Sequence, residues 1–187
     1  MVECVSLSQC SAADGARWLL QAEEIFFETA YTKDFGPGPA RRAFCNRWFA
    51  HYADTQPGAF LLALTLQGSV AGYLAGCIDS FSAASGIITG DIDYFTPAFC
   101  AALKNCPSHF HINVKPESQG KGVGHKLVAR FLQICAEAGS PGIHVVTGAS
   151  SRAVRFYEAC GFRQVIPYAG ASPGLAVLVR ATRAPSH

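Results

Sequence analysis

Between residues 111 and 132 the chain reads HINVKPESQGKGVGHKLVARFL. Gly120, Gly122 and Gly124 fall within five residues, and Lys115, Lys121 and Lys126 surround them. A glycine inside a regular element costs about 0.5–1 kcal/mol relative to alanine, so such a cluster needs a compensating purpose. A β-branched run before the loop and an amphipathic pattern after it predict strand, loop and helix. That arrangement makes an anion site, because successive backbone N–H groups face the ligand and the helix N-terminus adds partial positive charge. Phosphate is the natural guest. The nucleotide P-loop is excluded, since Lys121 is followed by Gly122 rather than Ser or Thr. The dinucleotide fingerprint is excluded as well, since the order is Gly120-x-Gly122-x-Gly124 rather than G-x-G-x-x-G. The plain alternative is a tight turn that binds nothing.

A second group of reactive side chains precedes the loop. His109, His111 and Asn113 alternate on one face of a strand, with Phe110, Ile112 and Val114 on the other. Histidine titrates near neutrality, although a strand histidine is more often a satisfied structural residue. Asp91 and Asp93, in TGDIDYF, suit a cationic partner or the cap of a following helix. His51, His125 and His144 stand apart from any cluster, and no spacing suggests zinc. Trp18 and Trp48, at helical positions, read most simply as core.

The elements that position these residues alternate. Val2 to Leu7 reads as a strand, and Asp14 as the N-cap of a helix to about Ala30. DFGPGP breaks the chain before a helix from Ala40 to about Tyr52. AFLLALTL (59–66) and SVAGYLAGCI (69–78) form a tight hairpin through Gln67-Gly68, with glycine where positive φ is needed. Residues 79–107 read as an insertion with one helix near 96–103, too short to enclose a core of its own. A strand at 109–114, the glycine loop, a helix ending at Gly139 and a strand at 143–147 follow. A helix capped by Ser150 or Ser151 then runs to Gly161, and strands at 162–168 and 175–180 close the chain. The pattern predicts one α/β or α+β domain across residues 1–187.

Composition narrows the class. Half of the 187 residues are hydrophobic, 15% are charged and the net charge is +2, which argues against disorder and requires no nucleic-acid partner. The 8 cysteines form no CxxC pair and read as buried, reduced thiols. MVECVSLSQC has no signal-peptide pattern, and no stretch reaches 18 apolar residues, so a cytoplasmic protein without a membrane span is expected.

The loop Gln119-Gly120-Lys121-Gly122-Val123-Gly124 fits the Q/R-x-x-G-x-G/A pattern of the GNAT acetyltransferase superfamily. SSRAVRFYEACGF (150–162) resembles the segment those proteins carry one strand later, usually Asn-x-x-Ala-x-x-Phe-Tyr-Glu-x-x-Gly-Phe. The order and separation of the two segments are also similar to the family, over roughly residues 59–168. HFHINVKP behind its insertion further resembles bacterial acetyltransferases related to the domain appended to O-GlcNAc hydrolases. The resemblance implies a mixed, mostly antiparallel sheet splayed between its fourth and fifth strands, and acetyl-CoA as the ligand. Its pyrophosphate would rest on Gln119, Gly120, Lys121, Gly122, Val123 and Gly124, with His125 and Lys126 following. Its pantetheine arm would pair with Ile112, Asn113 and Val114 as an added strand. Ser150, Ala153, Phe156 and Tyr157 complete the implied cofactor contacts, with Ser150 standing where the family usually has Asn.

By the same resemblance the reaction moves an acetyl group to a primary amine of a small molecule or a protein, in a monomer or homodimer. Tyr157 matches the family tyrosine that protonates the departing thiolate, and His109, His111 and Asp93 are the candidate bases. A different class remains open: a non-catalytic acetyl-CoA-binding module with the same fold.

Overall fold

The computed structural model describes residues 2–30, 34–36, 38–82, 97–165 and 174–182. Its strands are hydrogen-bonded in the order β1-β2-β3-β4-β5-β7-β6, a mixed sheet with β4 and β5 as a parallel pair. By contacts the chain divides into two compact units, residues 1–76 with 111–131, and residues 77–110 with 132–187.

The first unit opens with β1 (Val2–Ser6) and α1 (Ala12–Thr29). Ser11 rather than Asp14 caps this helix: its Oγ accepts the Asp14 N–H at 3.1 Å and donates to Asp14 Oδ2 at 2.9 Å. Asp14 is the third residue of the helix, so the helix is capped three residues before the expected position. The second helical run is α2 (Gly38–Cys45), a π-helical turn at Asn46–Ala50, and α3 (His51–Thr55). The wide turn interrupts the helix expected over 40–52. β2 (Phe60–Thr65) and β3 (Val70–Cys77) pair antiparallel, with a bulge between Ala63 and Leu64. Their loop is one residue longer than expected. Thr65 N–H bonds the Ser69 carbonyl at 2.8 Å, and Gly68, with φ 75°, supplies the left-handed residue that closes a three-residue hairpin.

Helix α1 is tied to that hairpin by Trp18 Nε1, which donates to the Gly68 carbonyl, and by Gln21 Oε1, which accepts the Val70 N–H, both at 2.9 Å. Trp18 therefore does more than fill core. Beneath the helices Phe60 and Tyr73 stack at 5.7 Å, and Phe49 meets both edge-on. The unit also takes residues 111–114 of β4 (Ser108–Val114) and the first part of α5 (Val123–Glu137).

The second unit holds α4 (Pro97–Ala102), the start of β4, β5 (Gly142–Gly148), α6 (Arg152–Ala159), β6 (Arg163–Val165) and β7 (Leu175–Ala181). β7 runs antiparallel along the whole of β5, from Gly142↔Ala181 to Gly148↔Leu175, and takes β6 on its other edge. The last strand thus lies between two earlier ones. α4 belongs to the unit's core: Phe99 and Leu103 pack with Val177, beside Phe81, Val146 and Val179. Asp91, Asp93 and the rest of the expected insertion at 83–96 lie outside the described residues.

All eight cysteines are free thiols. Cys45, Cys77, Cys135 and Cys160 are buried, whereas Cys4, Cys10, Cys100 and Cys106 are half-buried, so the expectation of uniform burial holds for four. Burial pushes the Cys135 thiol up to about 12.

At Gly76 strand β3 comes close against the Phe131 side chain of α5. A Cβ there would fall well inside contact distance of the buried Phe131 ring of α5. Gly76→Ala should cost about 1–3 kcal/mol by overpacking, a drop in Tm of several degrees at roughly 2–4 °C per kcal/mol. Adding Phe131→Leu should recover part of that loss in a thermal melt. An unchanged melt for the single variant would show that the ring moves aside freely.

Candidate active site

The glycine loop begins where β4 ends. Lys115 N–H bonds the Ala71 carbonyl at 2.9 Å, a 3-10 turn follows at Pro116–Ser118, and Gln119 Nε2 reaches back to the Val114 carbonyl at 3.0 Å. The Gln119 side chain thereby fixes where the loop leaves the strand. Gly120 and Gly122 have φ of 73° and 79°, a conformation that costs roughly 1–2 kcal/mol for other L-residues. A Cβ at either would meet nothing within 4 Å. No neighbouring packing therefore demands these glycines; the backbone conformation does, and the space in front is clear. Gly124 is instead the second residue of α5, behind the buried anchor Val123.

The lysines are not equivalent. Lys121 is exposed on the loop, whereas Lys126 Nζ donates to the Val2 carbonyl of β1 at 3.2 Å. His125 is exposed in the first turn of α5.

On β4 in the first unit, His111 lies between two aromatic rings, Trp48 at 5.1 Å and Tyr52 at 5.4 Å, both edge-on. The π-helical turn carries Trp48, and Tyr52 follows it in α3. Asn113 is held at both ends of its amide. Its Oδ1 accepts the Tyr73 hydroxyl at 2.9 Å, and its Nδ2 donates to Thr29 Oγ1 at 2.6 Å. Thr29 in turn donates to the Ile25 carbonyl at 2.6 Å. Burial, then the nearby Cys45, holds the Tyr73 phenol well above its ordinary value, so it stays a donor. Ile112, Asn113 and Val114 are half-buried.

In the second unit β4 meets β5 in parallel at two positions, Ser108↔Ile143 and His109↔His144. His109 is buried, and its Nδ1 lies 2.5 Å from Ser80 Oγ. The Ser80 hydroxyl donates its one proton to the Pro107 carbonyl, so His109 Nδ1 carries a hydrogen and donates to the Ser80 oxygen. The ring packs 5.6 Å from His144, whose Nδ1 donates to the Cys106 carbonyl at 2.6 Å. His144 thus joins a pair that its isolation in sequence concealed. Among the described residues, no group of three or more His, Cys, Asp or Glu side chains could hold a metal ion.

Tyr157 is buried on α6 within a ring cluster: Phe110 at 5.9 Å, Phe162 at 5.8 Å and Phe156 at 5.3 Å. Burial, reinforced by Cys160, pushes its phenol well above the ordinary value. The hydroxyl therefore holds its proton throughout the neutral range. Ser151, not Ser150, takes the N-cap position of α6, and its hydroxyl lies 3.1 Å from Thr147 Oγ1. Ser150 is exposed, and Ala153 is half-buried in the first turn. Sequence reading missed Tyr73, Thr29, Tyr52 and Ser80 as partners of the β4 side chains. Tyr73 sits in an unbroken apolar strand, and the other three lie far from β4 in the chain.

Residues 19–162 match the model of the acetyltransferase (GNAT) family, more than half of the chain, and the chain belongs to that family. The GNAT fold binds acetyl-CoA. The structure is similar to that of SsHAT, with a TM-score of 0.75 and 18% identity over 98% of this chain and 100% of that one. It is also similar to a GNAT superfamily phosphinothricin acetyltransferase from Sinorhizobium meliloti, solved in complex with AcCoA. There the TM-score is 0.59 at 18% identity, over 96% and 88% of the two chains. Ard1 from Thermoplasma volcanium gives 0.60 at 17%, over 96% and 97%. At these identities the structures speak for the fold. Among the described residues no helix is long and apolar enough to cross a membrane.

The buried histidine pair carries a pH dependence. Burial lowers His144 from 6.5 to about 4, against the smaller opposing effect of its bond to Cys106. The unfolded chain therefore binds a proton that the folded chain refuses between those values, and stability falls as pH falls through this window. The full effect is roughly 3 kcal/mol. Thermal melts should decline from about pH 6.5 toward pH 4, and His144→Asn should flatten that decline. An equally steep decline in the variant would assign it to other groups.

Proposed function

We propose that the chain transfers the acetyl group of acetyl-CoA to a primary amine of a small molecule or a protein. The observation that carries this reading is the loop Gln119–Gly124: two left-handed glycines with clear space in front, opening α5 in a chain of the GNAT family. Backbone N–H groups there suit the pyrophosphate, with Lys121 beside them. Lys126, bonded to Val2, serves the fold instead. The half-buried backbone of Ile112, Asn113 and Val114 suits the pantetheine arm. One family match runs through both compact units, and on that ground we read residues 1–187 as one catalytic domain.

When bound, acetyl-CoA supplies an activated thioester. The chain's residues must then take a proton from the acceptor ammonium, so that the free amine attacks, and give one to the departing sulfur. Tyr157 suits the second task, since burial keeps its phenol protonated. His111 suits the first better than His109, because Ser80 and the neighbouring His144 commit the His109 ring to packing. Asp93 stays a candidate from its sequence alone. HFHINVKP likewise remains the only ground for the subgroup related to the O-GlcNAc hydrolase domain.

Gly122→Asp sets a carboxylate where phosphate should lie, and Gly122→Ala imposes the backbone strain without the charge. Acetyl-CoA titrated calorimetrically should bind Gly122→Asp at least about 100-fold more weakly, the cost of several kcal/mol for opposed like charges. Gly122→Ala should lose much less. Equal affinity for the aspartate variant and the parent would remove the site from this loop.

Tyr157→Phe keeps the ring cluster and deletes only the hydroxyl. Release of free thiol with an amine panel should fall about 10²–10⁴-fold in kcat, with acetyl-CoA affinity and Tm nearly unchanged. Unaltered turnover across pH would show that water protonates the sulfur. Acetyl-CoA binding by the parent without turnover on any amine would instead favour a non-catalytic binding module.

A further inference from the structure

The strand beneath His111 is held in place. Two residues on, Asn113 is bonded through its amide to Tyr73 and Thr29, and the Lys115 N–H reaches the Ala71 carbonyl at 2.9 Å. With the backbone held there, rotation of its own side chain is the freedom left to His111. The outer torsion of a histidine is broad rather than confined to three sharp wells, so the ring takes its direction from what packs against it.

Two aromatic rings take up that freedom. Trp48 lies 5.1 Å from the imidazole at 87°, and Tyr52 lies 5.4 Å from it at 90°. An imidazole set perpendicular to two neighbours cannot turn without pressing on one ring or parting from the other. The mount itself is firm. Tyr52 is fully buried, and Phe49, beside Trp48 in the chain, packs edge-on against Phe60 and Tyr73. The Arg47 guanidinium lies 5.5 Å over the Trp48 ring. Four residues apart, Trp48 and Tyr52 share one face of their helical run. Trp48 rides on the π-helical turn, a feature frequent at functional sites.

His111 as a whole is half-buried, but its Nε2 is buried. Proton exchange with a substrate therefore falls to Nδ1, which must hold the lone pair, and the hydrogen of the neutral ring sits on Nε2. We propose that Trp48 is a positioning residue: with the Tyr52 ring it sets His111 with Nε2 inward and Nδ1 as the base for the acceptor amine. Resting on the acetyl-transfer reading, this narrows the acceptor to amines that arrive protonated at neutral pH, alkylamines with a pKa of about 10 like that of lysine. One proton moves from the ammonium to Nδ1, His111 becomes imidazolium, and the nitrogen regains the electron pair with which it attacks the thioester. Misplacing a reacting group by about an ångström can cost ~10²-fold in rate, which is what a held ring avoids.

The test is a double-variant cycle with benzylamine as acceptor, read as kcat/KM at neutral pH. Trp48→Leu should lower kcat/KM at least about tenfold in the parent, but less than about twofold in a His111→Gln background. Trp48→Phe, which keeps a ring, should recover most of the loss, and acetyl-CoA affinity should hold throughout. The Trp48→Leu deficit should also shrink as pH rises toward about 10, where benzylamine sheds its proton unaided. Equal losses in both backgrounds, or a deficit that ignores pH, would make Trp48 merely structural and overturn the proposal. Independently of turnover, nitrogen-15 spectra of the unliganded, histidine-labelled chain should show neutral His111 as the Nε2–H tautomer. The Nδ1–H tautomer would overturn the assignment of the base nitrogen. A parent that binds acetyl-CoA yet acetylates no amine would remove the transferase reading and this proposal together, whereas a failed cycle in an active parent removes the proposal alone.

Discussion

A buried polar side chain must find a hydrogen-bond partner, and along β4 that requirement is met at Ser108, His109 and Asn113. An unpaired group of this kind costs on the order of 1–3 kcal/mol. Ser108 donates to the Ile78 carbonyl and meets Ser140, and His109 donates to Ser80. His111 settles between Trp48 and Tyr52, and Asn113 bridges Tyr73 and Thr29. Each partner comes from a different part of the chain. In the first unit these bonds position the end of α1 and the turn after α2. In the second they close the stem of the 79–107 segment. The polar side chains of this strand thus set the place of much of what surrounds it.

Beyond Ser108, the face of β4 that carries Phe110 is apolar and answers to packing. Phe110 meets Tyr157 and Phe162 at ring distances of 5.9 and 6.0 Å. The same desolvation that buries Tyr157 keeps its proton in place, so packing and a retained proton follow from one cause. The contrast with His144 is instructive. Burial holds the proton on a phenol and takes it from an imidazole, because in each case it disfavours the charged form.

The glycine loop shows a different economy. Its two left-handed residues pack against nothing, yet a side chain at either would strain the backbone. Gln119 spends its amide on the last carbonyl of β4 rather than on any ligand. The loop is shaped by its own φ angles and by one side-chain clamp. Elsewhere glycine serves close approach instead: at Gly72 a Cβ would lie 2.9 Å from the Asn113 carbonyl oxygen.

Much of this was legible in the residues alone, because the signals are local. Alternation of strand and helix, the hairpin glycine at 68, the loop at 120–124 and the motif around Tyr157 each depend on neighbours within a few positions. Periodicity and φ preference report such things directly. Where local reading slipped it slipped by small steps: Ser11 for Asp14 as a cap, Ser151 confirmed over Ser150, one more residue in the hairpin loop, a π-helical turn inside an expected helix. Only the tertiary structure placed β7 between β5 and β6, paired His109 with His144, and sent the Lys126 side chain to β1. Those outcomes join residues tens of positions apart, and they follow from which buried groups find partners, a property of the packed chain that no short window of sequence contains.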